Sequence, residues 1–528
     1  MILFYLTKVL LKIRIIEINI LILHYKLFNI EMGVIRRQTI KGAMYSYLGV
    51  LLGFIIAGLL LPHALTTDEN GVIKLIVSYS VLFAQLAGLG FNSVTTRLFT
   101  FFRDKQKNHN GFFFIAFIIT SIGVIVSLIL FFLLKDLVLE RSGGSENFLL
   151  SKYVYYIIPM IICTALFYML DNFYKVLFNA IIGTALKDFV QRIFILISLL
   201  LFFFNYISFP TFVLLYVCCY AIPVILITVF LIYEKEISLK PQLDFISKDL
   251  KRSMFNVSFF GIIVGFSNMA ILNIDSIMVN QLVDLSSTGI YGITFFFGTL
   301  IIIPSRALKK ISSAVLADAW KINDLKIIND IYKKSCLNQF IFGLLIFIGI
   351  WANIDNVFEI LPKEYEPGKY VILFIGLANL FDMLAGVSGA IIVTSKEYRY
   401  LTWFMLFLLV LLVITNLIFI PIWGMTGAAI ASIFSALVYV SCRYLLLFVK
   451  YKMQPYNLKF VLIILIGVLV YFIGAAIPRF DNYVIDIIVR SVSMLILYSL
   501  PVYFLKLSPD INSRVEVYWN IIKNKLRS

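Results

Sequence analysis

"FFFIAFIITSIGVIVSLILFFLL" fills residues 112–134, between "RDKQKNHNG" (103–111) and Lys135-Asp136. A run of this length without a charge is long enough to cross a bilayer core, which takes about 20 helical residues at about 1.5 Å each. A membrane β-strand needs only about 10 residues and alternates polar with apolar side chains, which this run does not. The segment therefore reads as a transmembrane helix. Similar runs lie near 43–62, 72–91, 153–174, 188–205, 210–233, 254–280, 287–305, 336–354, 370–394, 401–420, 425–449, 458–477 and 484–505, so fourteen crossings are expected. Composition agrees, with 61% hydrophobic and 14% charged residues over 528 positions, against about 25% charged in soluble domains.

The net charge of +16 is distributed by side of the membrane. With a cytoplasmic N-terminus and fourteen crossings, 37 of the 45 Lys and Arg fall on the cytoplasmic side. Arg97, Arg103, Lys105 and Lys107 precede the third run, and Arg306, Lys309, Lys310, Lys321, Lys326, Lys333 and Lys334 precede the ninth. On the opposite side "PHALTTDENG", "NYISFP" and "PIWGM" hold no cation. This alternation follows the positive-inside rule and places both termini in the cytoplasm. The excess charge thus reads as orientation and lipid contact, not as a nucleic-acid surface.

No joint is long enough for a folded catalytic module of about fifty residues or more. "ADAWKINDLKIINDIYKKS" (317–335) has amphipathic spacing and is expected to form a helix lying on the membrane surface. Cys163, Cys218, Cys219, Cys336 and Cys442 lack metal or redox spacing, and His24, His63 and His109 offer no His cluster. No P-loop or dinucleotide-binding glycine pattern is present, so neither an enzyme nor a nucleotide-driven pump is indicated. Residues 1–31 carry scattered charges and no cleavage site. They read either as sequence upstream of a start at Met32 or as an interfacial helix.

The chain also contains a weak internal repeat. "IKGAMYSYLGVLLGF" (40–54) parallels "LKRSMFNVSFFGIIVGF" (250–266), and "TTDENGVIKLIVSY" (66–79) parallels "VDLSSTGIYGITFF" (283–296). Six crossings per half make the repeats parallel, as in transporters whose two bundles rock about a central site. The expected organisation is an N-terminal segment (1–42), a six-helix bundle (43–233), a linker (234–253), a second bundle (254–449), two further helices (450–506) and a tail (507–528).

Two carboxylates fall inside membrane runs. Gly261, Gly265, Asn268, Leu272 and Asp275 share one face of the seventh helix. Facing lipid at the centre, a carboxylate costs about 2.5–3.5 kcal/mol, so that face must meet protein or water. Asp275, with Asn268, is either a cation or proton site or a packing carboxylate near the outer rim. Asp382 lies about 18 Å below the start of the tenth run, near the midplane. There it serves ion coupling or cargo gating, or it forms a structural bond between helices.

The segments "NIDSIMVNQLVDLSSTGIYGITFFFGTLIIIPSRALKKISSAVLADAW" (273–320), "GLANLFDMLAGVSGAIIVTSKEYRY" (376–400) and "NLIFIPIWGMTGAAIASIFSALVY" (416–439) carry a recognisable pattern. Its elements are the Asp-x-x-Met of the seventh run, the Gly-Ile-Tyr and Pro-Ser-Arg bounding the eighth, and the Pro-x-x-Gly-x-x-Gly-Ala-Ala opening the twelfth. With these the chain resembles the O-antigen and capsule polysaccharide flippases of the multidrug/oligosaccharidyl-lipid/polysaccharide exporter superfamily, from Met32 to about Lys506.

The resemblance implies two six-helix bundles around a cavity in a bacterial inner membrane. It also implies a polyprenyl-pyrophosphate-linked oligosaccharide as cargo, with no cofactor beyond a coupling proton or sodium ion, and membrane lipids and polysaccharide-assembly proteins as partners. Such a cargo needs cations in the cavity. Arg97, Arg306 and Arg192, with Arg443 as a fourth, either bind its pyrophosphate or anchor helices to headgroups, and Arg192 with Asp188 at i−4, like Lys175 with Asp171, has mutual neutralisation as a further alternative. Rival functions are a cation-coupled multidrug antiporter of the same superfamily and a flippase for a lipid II-type cell-wall precursor. A membrane polymerase or ligase would be expected to carry a large outer loop, which this chain lacks.

Overall fold

The computed structural model describes residues 44–139, 148–177 and 180–517, so the expectations for residues 1–42 and for the end of the tail lie outside the described residues. All regular structure among the described residues is helical. The membrane-length helices are α1 (Met44–Ala64), α2 (Thr67–Ala87), α3 (Phe112–Leu139), α4 (Phe148–Val176), α5 (180–203), α6 (Phe209–Tyr233), α7 (Lys248–Leu282) and α8 (Leu285–Arg306). They continue with α9 (Leu325–Ala352), α10 (Lys369–Leu384), α11 (Tyr398–Trp423), α12 (Met425–Tyr451), α13 (Leu458–Ala476) and α14 (Tyr483–Phe504). Thirteen spans among the described residues are long and apolar enough to cross a membrane, α1 with a π-helical stretch of its own at Phe54–Leu60 and α10 together with the turn before it as Lys363–Leu384, and α5, crossed by a π-helical stretch at Ala185–Val190, completes fourteen.

Several boundaries differ from the expected runs for local reasons. Helix α2 begins at Thr67 rather than at residue 72, because Thr66 and Glu69 form a reciprocal capping box. The polar "TTDEN" therefore belongs to the helix, although hydropathy excludes it. At the other end α2 stops at Ala87, and the chain turns through Gly90 at φ +70° before a separate helix, Phe91–Phe102. Helix α8 likewise passes through a short tight turn at Leu300–Ile302 into Ile303–Lys321. The expected surface helix over 317–335 is not one element. Its first part ends Ile303–Lys321, and its second begins α9, where the Asp324 side chain accepts from the backbone N–H groups of Lys326 and Ile327. The expected tenth run breaks at Gly386, φ +57°, into α10 and Ser388–Thr394.

The parallel repeat has a residue-level signature where α2 meets α8. Gly71 leaves room for the Leu285 carbonyl, and Gly289 leaves room for the Thr67 carbonyl; a Cβ on either glycine would collide with that oxygen. Each glycine thus faces the residue four positions before its counterpart in the other half, which is a local pseudo-twofold contact. The Ser286 hydroxyl donates to Thr67 Oγ1 (2.7 Å), and Asn70 Nδ2 donates to the Tyr365 hydroxyl (2.8 Å). These contacts close the end of the molecule that carries few cations.

Hydrophobic cores follow the two halves. Leu75, Ile161, Leu199 and Phe212 belong to one core among α2, α4, α5 and α6, while Tyr332, Phe340, Ile463 and Tyr498 belong to another joining α9 to α13 and α14. In α14, Asp486 is paired with Arg490 (3.1 Å), and the Arg490 guanidinium donates to the Gly474 carbonyl of α13 (2.6 Å). That buried pair fixes the two extra helices to each other. Asn356 also donates to Asp486, connecting them to the joint after α9.

At the basic end the segment between α6 and α7 is tied to the first bundle through Glu236. Lys105 Nζ approaches one carboxylate oxygen (2.5 Å) and His109 Nε2 the other (2.8 Å), while the Tyr174 hydroxyl donates to Glu234 (2.6 Å). Burial pushes the Glu236 carboxyl up, but the hydrogen bonds and charges of Lys105 and His109 outweigh it and hold the group below the usual carboxylate value.

Candidate functional site

Two adjoining chambers lie where the bundles meet. The larger, about 520 Å³, is bounded by α2 and the helix after it, α4, α5 and α7, and Arg97, Tyr168, Asp171, Lys175, Lys187 and Asp188 reach its wall. The smaller, about 300 Å³, lies among α1, α5, α6 and α8, with Lys187, Asp188, Arg192, Tyr216 and Tyr220 on its wall. Lys187 and Asp188 line both, so one turn of α5 separates them. This turn lies in the π-helical stretch, where an extra residue per turn alters which side chains face inward.

Arg97 is exposed on the helix after the Gly90 turn, and its guanidinium lies 5.4 Å from the ring centre of Tyr398 at the start of α11. It therefore touches the second bundle while lining the larger chamber. Arg306 is exposed at the corresponding end of α8. Arg192 is half-buried, and its Nη1 donates to the Gly49 carbonyl of α1. Gly53 makes this approach feasible, because a Cβ there would occupy the guanidinium's position. Arg97, Lys187 and Arg192 form no ion pair among the described residues, whereas Lys175 is paired with Asp171. The wall of the two chambers therefore holds cations outside ion pairs, with the Asp188 carboxylate among them in both chambers.

Asp382 occupies a different place. One carboxylate oxygen accepts from Lys309 (2.6 Å) and the other from Arg443 of α12 (2.6 Å). Arg443 is buried and stacks over Tyr439 at 4.3 Å. Two expected charge sites, Asp382 and Arg443, are thus each other's partners, and Lys309 completes a cluster with net charge of one sign. This cluster borders a third chamber of about 250 Å³ in the second bundle.

Asp275 is buried and accepts three hydrogen bonds, from the Tyr291 hydroxyl (2.9 Å), Asn416 Nδ2 (2.7 Å) and the Ser432 hydroxyl (2.6 Å). Those donors sit on α8, α11 and α12, so the carboxylate ties α7 to three neighbours. The expected shared face of α7 divides along its length. Gly261 and Gly265 pack on Gly90 and Gln85, Asn268 and Leu272 are exposed, and Asp275 is enclosed. Asp275 and Asp382 share no hydrogen-bonding partner, although Ser432, bonded to Asp275, also lines the chamber that Asp382 borders. Among the described residues no group of three His, Cys, Asp or Glu side chains could hold a metal ion.

Lys187, Lys309, Tyr216 and Tyr220 escape a reading of the sequence. A lysine near the end of an apolar run looks like any positive-inside anchor, and only the helix path shows which way it faces. Lys187 has one signal of its own: it follows "IIGTA" (181–185), a stretch interrupted by glycine and threonine where an unbroken apolar core helix is less favoured.

The architecture defines a class of membrane protein: fourteen helices in two parallel six-helix bundles with two additional helices, closed at one end and chambered between the halves. Solved structures share this fold. One, described as the lipid II flippase MurJ in an inward closed conformation, matches with TM-score 0.68 at 16% identity over 89% of this chain and 99% of that one. A multidrug resistance MATE family transporter of the MOP superfamily in an inward-facing conformation matches with TM-score 0.57 at 14% identity, over 76% and 93% of the two chains. A MATE in complex with MaL6 matches with TM-score 0.52 at 12% identity, over 78% and 94%. No protein-family model and no curated protein sequence matches the chain.

Proposed function

We propose that the chain flips a polyprenyl-pyrophosphate-linked oligosaccharide across a bacterial inner membrane for surface polysaccharide assembly, by alternating access of the two bundles. Under the positive-inside rule the basic end is cytoplasmic, so the α2–α8 contact closes the outer side and the chambers belong to an inward-side state. The observation carrying this reading is the set of cations without ion-pair partners among the described residues, Arg97, Lys187 and Arg192, along chambers beneath that closure. The wall's Arg97, Lys175, Lys187 and Arg192 outnumber its Asp171 and Asp188, which disfavours an amphiphilic cation and with it the antiporter reading. Arg97, Arg306 and Arg192 supply the positive field for the pyrophosphate. Asp275 and Asp382, with Asn268, are the groups through which a proton or sodium gradient would act.

A second reading, a flippase for a lipid II-type cell-wall precursor, is favoured by one specific observation: the match to the lipid II flippase spans 99% of that chain, more than either MATE match. Deletion of the gene in its own host separates the readings. Accumulation of polyprenyl-linked repeat units on the cytoplasmic leaflet, with loss of surface glycan, is expected. Restoration by wild type but not by Arg97→Ala/Arg192→Ala would tie transport to the cations. Growth arrest with accumulated cell-wall precursor would support the second reading, and an unchanged lipid-linked pool would contradict both.

A further inference from the structure

The outer closure has a component that the α2–α8 contact does not supply. Between α9 and α10 the chain forms a short helix, Ile354–Ile360, and a tight turn, Lys363–Gly368. In that turn Lys363, Glu364, Glu366 and Pro367 are exposed, whereas Tyr365 is fully buried. A large ring on an otherwise exposed turn is buried only if other elements supply a slot, with a partner for its hydroxyl. Both halves supply it. Tyr365 belongs to one apolar cluster with Ile290, Ile293 and Phe297 of α8, and Leu61 of α1 packs against that cluster. Its hydroxyl accepts from Asn70 Nδ2 of α2 (2.8 Å). The same amide approaches the carbonyls of Leu61, Leu65 and Thr66, so the ring reaches the corner where α1 passes into α2.

The turn itself is fixed to the second half. Gly368 lets it lie on α8, because a Cβ there would collide with the Thr294 side chain. From the other direction the two helices outside the repeat brace it. Asn356 donates to Asp486 of α14, Asn353 donates to the Ser491 hydroxyl of α14 (3.3 Å), and Arg479, in the joint between α13 and α14, pairs with Glu359. Tyr365 is therefore carried by one half and seated in the other. Its bond to Asn70 is neutral, so water replaces it at a modest net cost when the halves part. Such a contact favours closure and remains reversible.

We propose that Tyr365 is a pin of the outer closure, seated between the halves while the outer side is closed and withdrawn with the second bundle when it opens. The α14 contacts hold the turn that carries it, which gives the two additional helices a part in gating although they lie outside both bundles. The proposal rests on alternating access of the two bundles and is independent of the cargo.

The test reads how often the closure opens. In a background with the five native cysteines replaced by serine, Leu285→Cys is the reporter, because Leu285 is 7% exposed and its side chain faces Gly71 across the seam. A membrane-impermeant maleimide is applied from the outer side to host cells making the full-length protein, and thermal unfolding in detergent checks that each variant is folded. Tyr365→Phe, which keeps the ring and loses the hydrogen bond, should speed labelling about threefold or more, and Tyr365→Ala about tenfold or more. The exposed Glu364→Gln should leave the rate unchanged. Asn353→Ala/Asn356→Ala should also speed labelling, yet add nothing to Tyr365→Ala, because the brace acts through the ring.

Folded Tyr365→Phe and Tyr365→Ala proteins labelled at the parent rate overturn the pin while alternating access stands. Additive effects of the brace substitutions and Tyr365→Ala overturn the part assigned to α14. If the Leu285→Cys reporter stays unlabelled in every folded protein, yet reacts once the chain is unfolded, both the pin and the alternating-access reading beneath it are overturned.

Discussion

Asp382 and Arg443 show how a charge survives in an apolar bundle. Arg443 is enclosed by helices of the second half and pairs at 2.6 Å with Asp382, whose side chain is 25% exposed at the edge of the third chamber. Replacing Asp382 with Asn leaves the Arg443 guanidinium, only 5% exposed, without a countercharge. Breaking a buried pair from one side costs about 3–5 kcal/mol. Asp382→Asn should therefore lower the thermal unfolding midpoint in detergent clearly, and Arg443→Met combined with Asp382→Leu should recover much of the loss. Lys309→Ala, which removes the more exposed partner, should cost about 1 kcal/mol or less. Equal losses for Asp382→Asn and Lys309→Ala would contradict this ranking. The place of Asp382 within an apolar run is legible in the sequence. Its partners are not legible: Lys309 and Arg443 lie 73 and 61 residues away, and no spacing relates them. Asp275 is similar, since its donors come from three other helices.

At the scale of elements, hydropathy located the helices but missed the interruptions that shape the site. The Gly90 turn, the π-helical stretch of α5 and the Gly386 break all interrupt apolar runs, and each determines where polar side chains face. Helix α1 illustrates the consequence. Gly49 and Gly53 leave room for Asp188 and Arg192 of α5, so Gly53→Ala should displace the Arg192 guanidinium from α1. The expected outcome is transport reduced about tenfold or more, with a change in midpoint of only a few degrees; unaltered transport would show that this contact is dispensable. At the basic end, Glu236 joins the linker to the first bundle through Lys105 and His109. Its carboxyl is held below the usual value, so its contribution is present above the unfolded carboxylate value of about 4.3 and is lost as pH falls through the lower folded value. Amide exchange in residues 104–111 and 234–247 should stay slow from neutral to mildly acidic pH and quicken on stronger acidification. Glu236→Gln should cost about 1–3 kcal/mol at neutral pH and remove that acid transition. Exchange indifferent to both would discount the clamp.

Across the whole molecule, the fourteen-helix count and the division into parallel halves were legible because lipid imposes them: each crossing must be long, apolar and internally hydrogen-bonded. The weak repeat between 66–79 and 283–296 turned out to mark the reciprocal Gly71–Leu285 and Gly289–Thr67 contacts. The polar lining of the chambers was less legible, because a cation lining a chamber and one anchoring a helix have the same composition. The central claim is that the halves separate where α2 meets α8 as a lipid-linked saccharide crosses. Thr67→Cys/Ser286→Cys, in a background with the five native cysteines replaced by serine, tests it directly: the parent hydroxyl oxygens lie 2.7 Å apart, so a disulfide should form. Translocation of polyprenyl-linked repeat units in the host should stop on oxidation and resume on reduction, while each single-cysteine protein is indifferent to both. Undiminished translocation with the crosslink complete would contradict the account.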